Sequence, residues 1–236
     1  MTLKAIRAQL HAYANPRRAA LMQVFFQTAP GGYGAGDKFI GLTVPQVREV
    51  VRSGWEVSPS VVLGLLKSPI HEERLLALLI WVRQFSKGDE VRREAIYQSY
   101  LEHTRWINNW DLVDASARDI VGAWLADKDR GVLYKLAKSA DLWERRIAII
   151  ATFYFIREKD SKDTVAISEM LLRDEEDLIH KATGWMLRET GKRDLEVLEG
   201  FLRKHCRTMP RTMLRYAIEK LPEVRRRAYL QGKVEK

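Results

Sequence analysis

Apolar residues recur at helical spacing along almost the whole chain. Leu75, Leu76, Leu79 and Val82 follow the polar run SPIHEER, Ile147, Ile150 and Tyr154 follow DLWERR, and Leu195, Leu198, Phe201 and Leu202 follow TGKRD. Intervals of three and four residues place side chains on one face of a helix. The period-two alternation of a strand is nearly absent. Helix starts are signalled by Ser58 before Pro59, by Ser68 before Pro69, and by Asp141, Asp177 and Asp194 ahead of apolar runs. The pattern predicts an all-α fold.

The predicted helices also repeat. A charged or polar opening followed by an apolar run occurs in ERLLALLIW, NWDLVDASA, RRIAIIATF, HKATGWMLR and LRYAIEKLP. Positions 74, 110, 146, 181 and 215 in these runs are separated by 36, 36, 35 and 34 residues. A step of that size fits a pair of helices, which points to an α-solenoid, a curved superhelix whose units bury their faces on their neighbours. With the second helix of each pair on the concave side, Arg74, Trp110, Arg146, Lys181 and Arg215 line one groove. Trp185 and Arg188 continue the face of Lys181 at i+4 and i+7.

Charge sharpens this picture. The 236 residues carry 40 Lys and Arg against 31 Asp and Glu, a net charge of +9, which favours a polyanionic partner such as nucleic acid or an anionic membrane surface. Basic residues interleaved with indoles suit a phosphate backbone with something flat or apolar beside it. The alternative for each cation is a helix-start residue whose stem covers the core. Cys206 is the single cysteine, so no intramolecular disulfide can form, and a reducing cytoplasmic compartment is expected. No window is long and apolar enough to span a membrane, and the basic, interrupted N-terminus is neither signal peptide nor anchor. The Gly-rich loop GGYGAGDKF lacks the GK[ST] ending and the preceding strand of a phosphate loop. It reads as an exposed turn or short hairpin between helices.

The stretch NNWDLVDASA holds the candidate chemistry. On a helix, Trp110 and Asp114 share a face. Asp111 is placed to meet the helix dipole, with Asn108 or Asn109 as cap, which leaves Asp114 less needed for that purpose. Core packing for Trp110 and a buried ion pair for Asp114 stand as the structural alternatives, and spacing alone does not choose.

NNWDLVDASA, DLWERRIAII and HKATGWMLRE, in this order and at these separations, resemble the AlkD family of DNA alkylation repair glycosylases, built of HEAT-like repeats. GDKFIGLTVPQVREV and RTMLRYAIEKL resemble the same family, so the likeness covers nearly the whole chain. Thr43-Val44 stands before Pro45 where better-characterised members carry Gln-Thr. The resemblance implies a single HEAT-like domain over residues 1–236. It would comprise N-terminal helices and the Gly-rich loop within 1–57, repeats over about 58–222 and a basic tail over 223–236. It implies excision of cationic N3- or N7-alkylated purines from double-stranded DNA, without metal or cofactor and probing the backbone rather than flipping the base. Matched motif by motif, Asp114 takes the catalytic carboxylate's place. Trp110 and Trp185 take those of the sugar-contacting indoles, and Arg146 that of the backbone-contacting arginine. Arg48, Arg74, Lys181, Arg188 and Arg215 are the expected DNA contacts, and a capped solenoid is expected to work as a monomer. A non-catalytic binder of duplex or branched DNA and a protein-binding scaffold are the alternative readings.

Overall fold

The computed structural model describes residues 1–233, and the fold is all-helical. By Cα proximity the chain divides into two compact units, Met1–Ile120 and Val121–Lys236. The first unit contains α1 (Leu3–His11), α2 (Pro16–Phe25), α3 (Val44–Gly54), α4 (Pro59–Leu66), α5 (His71–Lys87), α6 (Glu90–Glu102) and α7 (Trp110–Asp114). The second contains α8 (Gly131–Leu136), α9 (Leu142–Ala151), α10 (Phe153–Arg157), α11 (Lys162–Met170), α12 (Asp177–Gly191), α13 (Leu195–His205), α14 (Arg211–Ala217) and α15 (Glu223–Leu230). Among the described residues the nearest approach to a sheet is one isolated parallel bridge between Lys38 and Ile70. Most of the basic segment that begins at 223 is helix α15; residues 234–236 of that segment lie outside the described residues.

Several helix starts follow the sequence signals. Ser58 precedes Pro59 at the start of α4, and the Asp141 and Asp194 carboxylates accept backbone N–H groups of the first turns of α9 and α13. Each such acceptor satisfies a donor that has no partner within the helix. Two expected starts shift. The α5 helix begins at His71 after Ile70, and the Ser68 hydroxyl accepts the Ile70 N–H at 3.1 Å in the turn before it. Asp177 is the first helical residue of α12 rather than its cap, where its charge still meets the positive end of the dipole.

In the first unit α5 is central, packing against α3, α4, α6 and α7. It contributes Leu76, Leu78 and Ile80 to a core shared with Leu65, Leu66, Ile107 and Leu112, all fully buried. The second unit is built around α12, which packs against α9, α11, α13 and α14. Leu187 joins Leu198, Phe201, Leu202, Met213 and Leu214 in one apolar cluster. The α12–α14 crossing depends on Gly184, because a Cβ there would lie 2.5 Å from the Met213 carbonyl oxygen and 2.6 Å from the Tyr216 Cβ. Gly184→Ala therefore forces the two helices apart, and chemical denaturation is expected to show a loss of about 1–3 kcal/mol, the usual cost of overpacking.

Candidate functional site

The first four residues of α5, His71-Glu72-Glu73-Arg74, are all buried, and together they fasten several segments. The Glu72 carboxylate accepts the backbone N–H groups of Ile40, Gly41 and Leu42, the closest at 2.8 Å. Gly41 has φ +84°, a left-handed conformation that glycine adopts without penalty and that turns these donors toward the carboxylate. Glu73 pairs with Arg7 at 2.8 Å and His11 at 2.9 Å on α1. Arg74 pairs with Asp37 at 2.7 Å and donates to the Ser68 carbonyl at 3.1 Å.

His71 ties two segments together. Its Nδ1 lies 3.1 Å from Asp37 and its Nε2 2.8 Å from Asp111. With a carboxylate at each ring nitrogen, both nitrogens donate and the ring is an imidazolium. Burial and the neighbouring Arg74 work against that charge, but the hydrogen bonds to Asp111 and Asp37 outweigh them and hold the His71 pKa above its ordinary value. Asp37 is desolvated too, yet His71 and Arg74 hold its carboxyl below the usual carboxylate range. The Gly-rich loop is thus more than an exposed turn: Asp37 and Phe39 are buried within it.

This network sits beneath α7. Asn109, not Asn108, is the cap, its side-chain oxygen accepting the Trp110 N–H at 2.8 Å. Asp111 is the helix-start acid that the sequence pattern predicts, and its main partner is His71. Above the network the rings form a column. His71 stacks on Phe39 at 4.5 Å between centroids, Phe39 on Phe26 at 4.9 Å, and Phe26 on Trp110 at 5.4 Å with 12° between planes. Phe25 meets Trp110 edge-on at 6.1 Å, and the indole N–H donates to the Tyr33 hydroxyl at 3.3 Å. Trp110 is thereby held at fixed tilt while part of its surface stays open.

Asp114 ends α7, one turn beyond Trp110, and is half-buried. Nearby Tyr100 is wholly buried and donates to the Ser116 hydroxyl at 3.0 Å, whose own proton goes to the Leu112 carbonyl at 2.6 Å. Burial, with the charge of Asp114 adding to it, pushes the Tyr100 phenol well above its ordinary value, so it remains a neutral donor. A π-helical turn, Arg118–Gly122, follows. Among the described residues no three His, Cys, Asp or Glu side chains come together as a metal site would need.

In the second unit, Lys181, Trp185 and Arg188 lie along α12 and are half-buried. Trp185 meets Phe153 edge-on at 5.8 Å, Lys181 pairs with Asp177 at 2.7 Å, and Arg188 bonds Glu219. Arg215 on α14 is exposed, as is Arg48 on α3 in the first unit. Arg146 on α9 is only 4% exposed and donates to the Leu178 carbonyl in the first turn of α12. Arg74, expected to contact DNA, is 2% exposed and committed to Asp37; breaking a buried ion pair to reach a phosphate would cost more than a surface contact returns. It is a structural cation.

A family model described as DNA alkylation repair enzyme matches residues 6–221. The chain belongs to that family. Membership supports a role in alkylation repair and implies DNA as substrate. A solved structure described as a predicted DNA alkylation repair enzyme from Enterococcus faecalis shares the fold, with a TM-score of 0.68 at 17% identity over 89% of this chain and 97% of that one. No curated protein gives a significant match. No described helix is long and apolar enough to cross a membrane.

Sequence reading missed Phe25, Phe26, Tyr33, Asp37, Phe39 and His71 as supports of Trp110. The available signal was the pair of aromatic and acidic runs QVFFQ and GYGAGDKF ahead of SPIHEER, three segments with no shared period. Because the folded pKa of His71 is raised, its stabilising contribution is complete below the ordinary histidine value of 6.5 and is lost as pH rises through the folded value. Denaturant midpoints measured against pH should show that loss in the wild type and not in His71→Gln. The variant should also be less stable by about 3–5 kcal/mol near neutral pH, the usual cost of removing one partner from a buried ion pair.

Proposed function

We propose that this family member is a DNA glycosylase that excises cationic N3- or N7-alkylated purines from duplex DNA. The observation that carries the reading is the half-buried Asp114 carboxylate one helical turn from a rigidly held, partly open Trp110. A purine alkylated at N3 or N7 already bears positive charge and leaves well without a strong general acid. The C1′–N bond breaks with its electron pair going to the base, which departs neutral, and positive charge develops on the deoxyribose.

Asp114 stabilises that charge and orients the water that attacks C1′, whose proton is released to solvent. The exposed part of Trp110, an indole negative over its face by its quadrupole, attracts the polarised C–H groups of the sugar. Reading the lesion through the sugar and backbone needs no base flipping. Arg48, Lys181, Arg188 and Arg215 are the proposed phosphate contacts: the pair of Lys181 with Asp177 and that of Arg188 with Glu219 involve half-exposed carboxylates that give way at small cost, while Arg188 keeps the buried Glu189 at 3.8 Å. Arg146, being buried, acts as the cation that holds the first turn of α12, and with it Lys181 and Trp185, against α9.

Incubating duplex DNA that contains 7-methylguanine with excess protein and measuring free base tests this directly. The wild type should release 7-methylguanine, and Asp114→Asn should slow release by at least about 100-fold, the scale of losing one electrostatic stabiliser. No release by the wild type overturns the reading, leaving a DNA-binding protein without turnover. Equal release by both removes Asp114 from its role.

A further inference from the structure

Between α3 and α5 lies a cleft of about 440 Å³ lined by Arg48, Val51, Arg52, Leu79, Val82, Arg83 and Ser86. Its wall is apolar, supplied by Val51, Leu79 and Val82, and its rim carries three exposed guanidiniums. Among the described residues Arg48 and Arg83 have no carboxylate partner, and Arg52 pairs only with the exposed Glu49 one turn away, a pair of little strength. The Arg83 guanidinium lies over the Trp55 ring at 5.6 Å, which orients its N–H fork without consuming its donors.

Three like charges around an apolar wall repel one another, weakly because they are exposed to water, and an anion that also has an apolar face relieves that repulsion and covers the wall. The rim is open and its cations are spread along two helices, which suits an extended polyanion better than a compact dianion enclosed on all sides. Arg83 lies 12 residues along α5 from His71, roughly 18 Å at the helical rise. The cleft is therefore a separate place from the Trp110 column, carried on the same rigid helix.

We propose that this cleft holds one phosphodiester of a DNA strand, the phosphate among Arg48, Arg52 and Arg83 and the adjoining deoxyribose against Val51, Leu79 and Val82. It anchors duplex outside the reacting nucleotide and adds Arg52 and Arg83 to the interface. The ligand rests on the reading of this chain as a DNA-acting protein; the cleft takes no part in the excision chemistry.

The test is fluorescence anisotropy of undamaged duplex binding across a sodium chloride series, with wild type and the double variant Arg52→Ala/Arg83→Ala. Each phosphate neutralised contributes about 0.9 to the slope of log K against log salt, so losing the one phosphate of the cleft in the double variant should lower the slope by about 0.9. Arg225→Ala/Arg227→Ala on α15 removes the same net charge elsewhere and should leave the slope near that of the wild type. An unchanged slope in the first variant, or an equal fall in both, overturns the proposal. Calorimetric titration with deoxyguanosine 5′-monophosphate separates the free nucleotide from the strand: its binding, abolished in the double variant while the duplex slope stays put, would also overturn it. If the wild type releases no base yet the slope falls as expected, the cleft stands and the excision chemistry fails; release with no change of slope has the opposite meaning.

Discussion

Four consecutive charged side chains at the start of α5 are buried, and the arrangement of the first unit depends on each of them finding a partner. An ionised group taken out of water is costly unless it is paired and hydrogen-bonded. His71 is satisfied by Asp37 and Asp111, Glu72 by three backbone donors around Gly41, Glu73 by Arg7 and His11, and Arg74 by Asp37 and Ser68. These partners come from α1, from the Gly-rich loop, from the turn after it and from α7. A displacement of any of these segments would leave a buried charge without compensation, so one helical turn fixes the relative positions of four parts of the chain.

The consequence for the candidate site is rigidity beneath an open surface. The His71 imidazolium stands at the foot of a ring column that runs through Phe39 and Phe26 to Trp110, and its second carboxylate, Asp111, belongs to the same short helix as Trp110 and Asp114. Helix α7 has only five residues, too few to be stable by its own hydrogen bonds. Its orientation is supplied from below by the ion network and from the side by Phe25 and Tyr33. A carboxylate held in this way costs no reorganisation when charge develops before it, which is the property electrostatic catalysis requires.

The second unit reaches a similar end by packing. Gly184 lets α12 approach α14 to backbone contact, Arg146 joins α9 to the first turn of α12 through Leu178, and Phe153 sets the edge of Trp185. Lys181, Trp185 and Arg188 thus project from a helix held on several sides. Here Lys181 is paired with Asp177 and Arg188 with Glu219, carboxylates that are themselves half-exposed, a condition in which exchange for a phosphate is cheap.

The amino-acid sequence by itself determined the helical class and most of the helix starts, because those follow from local periods and from caps within one or two turns. It also placed Trp110 with Asp114, and Lys181 with Trp185 and Arg188, since residues three or four apart on a helix must share a face. The family was legible for the same reason: its motifs are short and lie each within one helix. Only the tertiary structure decided that Arg74 is a buried structural cation, that Asp111 answers to His71 and that the Gly-rich loop supplies Asp37 and Phe39 as supports. Each of those outcomes rests on a partner 32 to 40 residues away along the chain, in a segment with its own local signals. Burial of a charge is set by whether such a distant partner arrives, and no local period encodes that meeting.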